Sequence, residues 1–411
     1  MRYRRLCRVR ALAVVALLTA ATVGIGTVAG SPVNAPATAE PGSGGMGQVV
    51  ESHPVTIPSI PTGAAFSAWQ LRYVSQNTQG MPWTTVATVL RPANRIEPPV
   101  LLAYDAIIDA LAPQCFPSDQ LQAGIPAQAA TGVMEVDMIY LGRALERGWT
   151  VVVPDYLGPD GEFGAGFVEG RDTLDAIRAA ENFPPAGLSG PATPTAIFGY
   201  SGGARGSEFA AELAPSYAPE LNLRGVAAGG VTVDISSTAR ALDGGFSGVL
   251  AAAAALGIGR AYPELGIESY FPDAGFRNAV SSSCILQMET SYPFLRLGDH
   301  TVVPGGGGLL DVPAVAAVVS GLRAGGYGTP SAPLYIYQAM NDEDAPMADT
   351  DQLVGDYCAR GVNVTYVKHP GVEHLTGNVA GSPAALDWLG QRLTAAGATT
   401  TCGMPGQALI A

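Results

Sequence analysis

The sequence GYSGG, residues 199–203, follows directly on the apolar run AIF at residues 196–198. It matches the pattern G-x-S-x-G of a nucleophile elbow, in which a strand turns sharply into a helix and leaves a serine exposed. Glycines suit the flanking positions because bulky side chains would clash in so sharp a turn. The N-terminus of the helix that follows would help to stabilise negative charge. The stretch therefore predicts a strand, a nucleophile at Ser201 and a helix, in that order.

Chance alone produces such matches in a chain with 52 glycines among 411 residues, so the motif needs partners. A serine nucleophile requires a histidine that accepts its proton and a carboxylate that holds the imidazole in the right tautomer. In α/β-hydrolases the three groups follow one another in the order serine, acid, histidine. Partners of Ser201 are therefore expected further along the chain.

Four histidines occur in the chain, His53, His300, His369 and His374. The chain order excludes His53, and His300 is disfavoured because it precedes the later strand signals. His369 closes a run of alternating character at residues 362–368, which predicts a strand. His374 lies just beyond that strand, in a loop of the kind that usually displays catalytic groups. We therefore expect His374 to be the base, with His369 as the alternative.

The acid is expected in the loop after the strand predicted at residues 334–338. Three carboxylates compete there, Asp342, Glu343 and Asp344. Asp342 comes first after the strand, and its D-x-x-x-P spacing to Pro346 matches the usual acid loop of these hydrolases. We therefore expect Asp342 to be the acid. Asp344 is the alternative, and Glu343 is interpreted as a solvated loop charge.

Strand and helix signals alternate along the rest of the chain, which predicts an α/β fold with a mostly parallel sheet covered by helices on both faces. Because Ser201, Asp342 and His374 must meet in one site, we expect one hydrolase core, at residues 51–234 and 328–405. The predicted strands are residues 87–91, 99–103, 150–154 and 224–231, and the predicted helices are residues 132–147, 171–183 and 383–393.

The periodicity changes for about ninety residues after the strand at residues 224–231. A parallel sheet does not tolerate so long a bare loop. Residues 242–256 and 312–322 have helical patterns, and residues 262–276 hold several aromatic side chains. We therefore expect residues 235–327 to form a helical cap inserted over the active site. Its apolar side chains are expected to form the core of the cap rather than acyl-chain contacts.

The N-terminus has the composition of a secretory signal peptide. Five arginines within residues 1–10 precede an apolar stretch at residues 11–21 and then small residues. We expect the signal to cover residues 1–30, with cleavage as late as residue 39, and residues 31–50 to be a flexible lead-in. A membrane anchor is the alternative, which the glycines and threonines disfavour. The mature chain is then expected to be extracellular and to lack a transmembrane segment, with association with the cell envelope left open.

The charge balance excludes several functions. Without the five arginines of the predicted signal, 17 basic residues remain against 35 acidic ones, which gives a net charge of about −18. Such a chain is expected to avoid nucleic acid, whose binding depends on basic patches. Lys368 is the single lysine, so lysine-centred chemistry has almost nothing to work with. The motifs imply no cofactor.

Four cysteines remain once Cys7 leaves with the signal: Cys115, Cys284, Cys358 and Cys402. An even number in a secreted protein implies two disulfides, with three pairings open. Metal binding is the alternative, but the spacing contains no C-x-x-C and the chain has no clustered histidines. We therefore expect disulfides and no metal.

Other segments accompany the elbow: AYDAIIDALAPQCFPSD at residues 103–119, VVVPDYLGPDGEFGAG at residues 151–166, LDAIRAAENF at residues 174–183, and the acid loop. Together they resemble the secretory lipase family typified by Candida antarctica lipase A, over roughly residues 50–405. The resemblance implies an α/β-hydrolase fold and lipid substrates such as triacylglycerols.

The resemblance also implies roles that the residue patterns leave open. Asp109 stands ahead of the C-x-P-S segment at residues 115–118, where the family carries an aspartate that helps to bind the developing alkoxide. The second donor to the oxyanion would be the backbone N–H of Gly202. The implied disulfides are Cys115 with Cys284 and Cys358 with Cys402.

These features predict a secreted serine hydrolase that cleaves carboxylic esters through an acyl-enzyme on Ser201. The residues themselves demand only an acyl donor with an accessible carbonyl. A transient contact of the cap with a lipid interface is expected alongside lipid substrates. Three alternatives stay open: a peptidase or amidase with the same triad, an acyltransferase, and a non-catalytic secreted binding protein. The complete set of Ser201, Asp342 and His374 argues against the last.

Overall fold

Ten strands form one sheet in the computed structural model, which describes residues 45–58, 60–132, 134, 136–394 and 397–411. The predicted signal peptide at residues 1–30 and residues 31–44 of the predicted lead-in lie outside the described residues. The strands are β1 (Val49–Val55), β2 (Phe66–Gln76), β3 (Pro82–Pro92), β4 (Leu101–Asp105), β5 (Thr150–Pro154), β6 (Thr195–Tyr200), β7 (Leu223–Gly229), β8 (Leu334–Ala339), β9 (Val364–His369) and β10 (Leu409–Ile410).

The sheet is mostly parallel, which confirms the predicted fold class. Its strand order is β1-β2-β3-β5-β4-β6-β7-β8-β9-β10. The first three strands and the β3–β5 pair are antiparallel, and every later pair in this order is parallel. The chain runs from β4 to β5 in one direction and from β6 onwards in the other. In open parallel sheets, ligands bind at the carboxyl ends of the strands where the order reverses, here between β4 and β6.

Helices cover both faces of the sheet. One face packs against α3 and α13, and the other against α4, α5 and α12. The helices are α1 (Pro117–Ala123), α2 (Ile125–Thr131), α3 (Asp137–Glu146), α4 (Phe167–Glu181), α5 (Gly202–Tyr217), α6 (Ile235–Leu242), α7 (Val249–Ala261), α8 (Ala274–Ser282), α9 (Ile285–Ser291), α10 (Leu297–His300), α11 (Pro313–Gly321), α12 (Met347–Ala359) and α13 (His374–Leu393).

The central strands β4, β5, β6 and β8 are buried along their whole length. Parallel strands that are covered on both faces consist of near-continuous apolar runs for this reason. Alternate side chains of one strand supply two different cores. On β4, Tyr104 packs towards α3 and α13, whereas Ala103 packs towards α4 and α5. The first core continues into the region predicted as the cap, where it includes Phe271.

The sheet extends beyond the predicted core at both ends. β1 begins at Val49, inside the predicted lead-in, and the N–H of Gly47 already donates to the carbonyl of Val74 at 2.8 Å. Residues 47–50 are therefore attached to the sheet. At the other end, β10 pairs with β9 beyond residue 405. Both strands lie at an edge of the sheet, where partial exposure leaves no continuous apolar run to predict them.

Two predicted core helices have different starts. The helix predicted at residues 132–147 begins at Asp137, because Gly132 ends the preceding helix in the left-handed conformation, with φ 72°. The helix predicted at residues 383–393 begins nine residues earlier, at His374. Pro383 lies inside that helix, although proline favours the first turn.

Residues 235–327 contain the six helices α6 to α11. The single helix predicted at residues 242–256 is wrong, since α6 ends at Leu242 and α7 begins at Val249. Gly244 adopts φ 78° between them, a conformation that favours glycine and breaks the helix. Within the described ranges, we find no helix whose length and apolar character would let it cross a bilayer.

Candidate active site

The elbow places Ser201 between β6 and α5. Its backbone adopts φ 55° and ψ −121°, and its N–H donates to the carbonyl of Gly229 at 2.9 Å. The flanking glycines are required by space. A Cβ on Gly203 would lie 2.0 Å from the carbonyl oxygen of Asp105, and one on Gly199 would lie 2.2 Å from the carbonyl oxygen of Gly203. The G-x-S-x-G pattern is therefore a steric condition for this turn.

The structure brings Ser201, His374 and Asp342 into one hydrogen-bonded series. His374 Nε2 lies 2.8 Å from Ser201 Oγ, and His374 Nδ1 lies 2.9 Å from both carboxylate oxygens of Asp342. A proton on Nδ1 satisfies the carboxylate and leaves Nε2 free to accept the serine hydroxyl proton. The imidazole is buried, and its ring packs 5.2 Å from the ring of Tyr200.

Asp342 is held by the turn that follows β8. Its Oδ1 accepts the backbone N–H groups of Asp344 at 3.1 Å and Ala345 at 2.7 Å. Its Oδ2 accepts the side-chain amide of Gln338 at 2.8 Å. Asp344 therefore contributes a backbone donor, while among the described residues the hydrogen bonds to His374 Nδ1 come from Asp342 and not from the Asp344 carboxyl. The acid loop fixes the orientation of the Asp342 carboxylate.

His374 is the first residue of α13, so the predicted base stands at a helix start and not in the open loop expected from the sequence. The backbone N–H of His374 donates to the Glu343 carboxylate at 3.1 Å, and the backbone carbonyl of His374 accepts a hydrogen bond from the Tyr200 hydroxyl at 2.5 Å. Glu343 thus holds the backbone of the base, which differs from the solvated charge expected in sequence analysis. The Asp342 charge and hydrogen bond affect the ring itself. Although burial disfavours the imidazolium, they raise the pKa of His374 to about 9.

Asp109 lies beyond β4, at the point where the strand order reverses. It adopts φ 42°, and its side chain is only 5% exposed. A Cβ on Gly202 would lie 2.1 Å from Asp109 Oδ1, so this carboxyl sits against the first residue of α5. Oδ1 has no hydrogen-bond partner among the described residues. Burial raises the pKa of Asp109 to about 7, so the carboxyl is readily protonated and can then donate.

The other histidines lie apart from this series. His369 ends β9, and its ring packs edge-on to Tyr337 at 6.3 Å. Burial lowers the pKa of His369. His300 ends α10 and stacks on Phe276 at 4.1 Å. Both contacts are packing contacts between rings, and neither ring reaches Ser201.

Two disulfides join segments that are distant in the sequence. Cys115 is bonded to Cys284, and Cys358 to Cys402, the pairing that the resemblance implies. The first joins the segment after Asp109 to the start of α9. No group of three or more His, Cys, Asp or Glu side chains that could hold a metal ion occurs in the described part of the chain.

The contacts of three residues near the triad were not predicted from the sequence. Gln338 orients the acid, Tyr200 supports the carbonyl of the base, and Glu343 accepts its N–H. One signal existed for Gln338, a polar residue at the end of an otherwise apolar run. Tyr200 occupies a variable position of the elbow motif, and Glu343 is one of three adjacent carboxylates. Neither position indicates its partner before the chain folds.

The fold and the site define a class of protein. A mostly parallel sheet, an elbow serine after a central strand and the chain order of Ser201, Asp342 and His374 are the features of an α/β-hydrolase.

The family model described as "Secretory lipase" matches residues 123–401, and the chain belongs to this family. It is 34% identical to Lipase A of Arthroderma benhamiae over 341 residues, which cover 80% of this chain and 71% of that protein. The X-ray structure of Candida antarctica lipase A superposes with a TM-score of 0.82 at 31% identity, covering 90% of this chain and 86% of that one. The protein is therefore an extracellular, lipase-type carboxylic ester hydrolase.

A relative from Mycobacterium tuberculosis is named a probable inactive lipase. It is 35% identical over 335 residues, which cover 79% of this chain and 73% of that protein.

Proposed function

We propose that the protein hydrolyses carboxylic esters of lipids, triacylglycerols among them, through an acyl-enzyme on Ser201. The observation that carries the proposal is the hydrogen-bonded series from Ser201 through His374 to Asp342, with 2.8 Å and 2.9 Å contacts. These distances suit proton transfer between a nucleophile and a general base without rearrangement.

In the first step, Ser201 Oγ bonds to the ester carbonyl carbon while its proton passes to His374 Nε2. Asp342 stabilises the imidazolium through the hydrogen bond from Nδ1. When the tetrahedral intermediate collapses, the bond to the alcohol oxygen breaks, and His374 gives its proton to that oxygen. Water then attacks the acyl-enzyme with the same base, which releases the fatty acid and restores the serine.

The negative oxygen of the intermediate needs donors in a buried place. The backbone N–H of Gly202, at the start of α5, is one donor in this proposal. Asp109 is the other, because its unpartnered Oδ1 lies against Gly202 and can donate when the carboxyl is protonated. An ionised Asp109 would repel the oxyanion, so the pKa of about 7 that burial gives it supports this role.

We infer that residues 235–327 act as a cap over the site, on a core of residues 51–234 and 328–405. Support comes from Arg205, which lies one turn beyond Ser201 on α5. Its guanidinium donates to the carbonyl of Thr232 at 2.9 Å and to that of Leu322 at 2.7 Å. These two residues lie near the two crossings, the points where the chain passes from the core into the cap and back. Both crossings are thereby attached to the helix that carries the nucleophile.

The cap also carries the surface that we propose for transient contact with lipid. Phe246 and Phe294 are 39% and 53% exposed, and their rings meet edge-on at 6.2 Å. Exposed aromatic pairs of this kind suit the boundary between water and acyl chains. The net charge of about −18 without residues 1–30 opposes contact with anionic surfaces, so any association with the cell envelope would depend on this apolar pair.

The direct test compares p-nitrophenyl esters from acetate to palmitate with emulsified triacylglycerol. Ser201→Ala and His374→Ala should each reduce turnover by roughly 10⁴ or more, while the fold survives. His369→Ala is the matched control and should keep most of its activity. An inactive His369→Ala beside an active His374→Ala would show that the base is assigned wrongly.

The rival activities are separated by product. A peptidase or amidase would cleave an acyl p-nitroanilide at a rate comparable to that of the matching ester. An acyltransferase would place the acyl group on added glycerol in preference to water. We expect the anilide to be cleaved far more slowly than the ester, and free fatty acid to be the main product when glycerol is present. A binding protein without activity would hydrolyse none of these substrates.

The lipid-contact proposal has its own measurement. Replacing both Phe246 and Phe294 with serine should lower the ratio of turnover on emulsified triacylglycerol to turnover on soluble p-nitrophenyl acetate. Ile410→Ser is the control, since Ile410 is 65% exposed on the edge strand β10. If the control and the double variant changed the ratio equally, the aromatic pair would have no specific role.

A further inference from the structure

Arg260 joins the proposed cap to the segment that carries Asp109. It lies in the last turn of α7, and its Nη1 donates to the backbone carbonyl of Leu111 at 2.8 Å and to that of Asp160 at 2.7 Å. Leu111 is buried and stands two residues after Asp109. One nitrogen of a cap side chain therefore holds two loops of the core, the loop after β4 and the loop after β5.

Helix α7 and these two loops pack closely where the hydrogen bonds form. A Cβ on Gly161 would lie 2.5 Å from the carbonyl oxygen of Leu111 and 3.0 Å from Arg260 Nη1. A Cβ on Gly257, one turn before Arg260, would lie 2.4 Å from the carbonyl oxygen of Phe163. Because the Leu111 carbonyl is enclosed in this way, loss of its donor from Arg260 would be unfavourable.

The segment after Asp109 has two further attachments to the proposed cap. The side-chain amide of Gln114 donates to the carbonyl of Ser282, at the end of α8, at 2.8 Å. Cys115 is bonded to Cys284. Asp109 itself adopts φ 42°, a conformation that persists only where the surrounding contacts impose it. Contacts from the cap thus hold the chain on one side of Asp109.

We propose that Arg260 is a positioning residue for the oxyanion donor Asp109, so that the cap contributes to the chemical step as well as covering the site. This inference rests on the proposed ester hydrolysis at Ser201. Arg260 acts through the Leu111 carbonyl and not on the substrate. Without the guanidinium, this carbonyl turns towards another donor, and the Asp109 carboxyl moves away from its place against Gly202. An oxyanion donor stabilises the transition state only from the right position.

The first test uses p-nitrophenyl acetate, whose short acyl chain needs little contact with the cap. Arg260→Ala should lower kcat by roughly tenfold or more and leave KM nearly unchanged, because an oxyanion donor acts in the transition state. Arg240→Ala is the matched control, an exposed arginine on α6, and should leave kcat unchanged. An unchanged kcat in Arg260→Ala would overturn the positioning role.

Chemical rescue supplies a second readout. A cavity of about 470 Å³ opens beside Arg260. It is lined by Leu111, Pro113, Pro159, Asp160, Arg260 and Ser281. Guanidinium chloride, at concentrations that leave the melting temperature unchanged, should therefore restore part of the kcat of Arg260→Ala and have no such effect on Arg240→Ala. Equal effects of guanidinium on both variants would count against the proposal.

A double-mutant cycle separates positioning from a structural role. Since Arg260 acts through Asp109, the variant with both Asp109→Ala and Arg260→Ala should be no slower than Asp109→Ala alone. Losses in kcat that multiply, together with a lowered melting temperature, would make Arg260 a structural residue and overturn the proposal. Failure of the unmodified protein to cleave the ester would instead contradict the proposed function, independently of Arg260.

Discussion

Among the single residues, the backbone conformation of Ser201 supports its proposed role as nucleophile as much as its hydroxyl does. A serine at φ 55° occupies a sparsely populated conformation, whose cost is about 1–3 kcal/mol. The turn is held by the Ser201 N–H bond to Gly229 and by the close approach of Gly203 to Asp105. Strain of this kind exposes the hydroxyl on the side where His374 lies.

The assignment of the acid predicts a contrast between two neighbouring aspartates. Asp342→Asn should preserve packing but favour the wrong imidazole tautomer, which costs roughly 10⁴ in turnover. Asp344→Asn should cost little, because its backbone N–H, and not its carboxyl, supports Asp342. Steady-state kinetics on one soluble ester measures both variants. The reverse result would move the acid two residues along the chain.

Two titrating groups predict a bell-shaped pH dependence of kcat/KM. Burial disfavours a charged His374, but Asp342 raises the pKa of His374 to about 9, and the base must be neutral. Burial raises the pKa of Asp109 to about 7, and this donor must be protonated. In the active form Asp109 carries a proton and His374 is neutral, so the two groups together hold one titrating proton. Activity should therefore rise through about pH 7, peak near about pH 8 and fall through about pH 9.

The Asp109→Asn variant tests whether Asp109 and His374 together produce the two limbs of this pH profile. The amide still donates a hydrogen bond but does not titrate, so the alkaline limb should disappear. Activity should then rise to a plateau as His374 loses its proton, somewhat below about pH 9 because one neighbouring negative charge is gone, and therefore at a higher pH than the rise through about pH 7 in the unmodified protein. A bell that keeps both limbs in this variant would exclude Asp109 as the titrating donor.

The sequence could predict those site residues whose chemistry requires a particular neighbour or a particular order along the chain. Ser201 needs its glycines, and Asp342 and His374 must follow it in order at the ends of strands. Tyr200 could not be predicted, since its contact joins residues that only the folded sheet brings together. Gln338 contacts Asp342 only four positions along the chain, and its single signal was a polar side chain at the end of an apolar run. The hydroxyl of Tyr200, for example, meets a carbonyl 174 positions away along the chain.

At the scale of elements, β5 matched its predicted bounds because a strand buried on both faces is a short, unbroken apolar run. β1 and β2 were missed because their exposed and buried positions do not alternate regularly. The break between α6 and α7 was missed because the alanine-rich stretch outweighed Gly244 in the helical pattern. The exposure of a strand near the sheet edge and the break between two helices depend on tertiary neighbours, which a local sequence pattern does not contain.

Arg205 on α5 is fully buried, and its Nε lies 3.3 Å from Glu169 Oε2. This buried ion pair leads to a prediction about stability. Arg205→Met should destabilise the fold by about 3–5 kcal/mol, because it leaves a buried carboxylate unpaired. Adding Glu169→Gln should recover part of that loss. Chemical denaturation measures each variant, with the exposed pair of Arg72 and Glu51 as control. Arg72→Ala should cost less than about 1 kcal/mol. A loss at Arg205 no larger than this would contradict the proposal that Arg205 anchors the two points where the chain passes between core and cap.

At the scale of the whole molecule, the interior holds many carboxyls whose pKa values burial raises. The folded state therefore binds more protons than the unfolded chain between about pH 4 and about pH 8, and stability should fall as pH rises through that range. The raised pKa of His374 acts in the same direction up to about pH 9. The buried carboxyls with a pKa raised to about 6 to 8 include Asp105, Asp137, Asp155, Glu181 and Glu208.

Thermal unfolding followed by circular dichroism measures this dependence. The melting temperature should be higher at pH 5 than at pH 8, so the protein is expected to be most stable on the acid side of its activity optimum. Glu181→Gln should flatten the slope, because burial raises the pKa of Glu181 to about 8. Glu264→Gln, at an exposed position, should leave the slope unchanged. A melting temperature that rises from pH 5 to pH 8 would show that these carboxyls are ionised in the folded protein.

Ester cleavage by this protein should proceed through a covalent intermediate on Ser201. Acid quenching during turnover of p-nitrophenyl butyrate, followed by peptide mass spectrometry, measures this intermediate directly. We predict a butyryl adduct on the peptide that contains Ser201, and no adduct in the Ser201→Ala protein, which should also lack activity. An adduct on a different residue, or full ester hydrolysis by Ser201→Ala, would contradict the account.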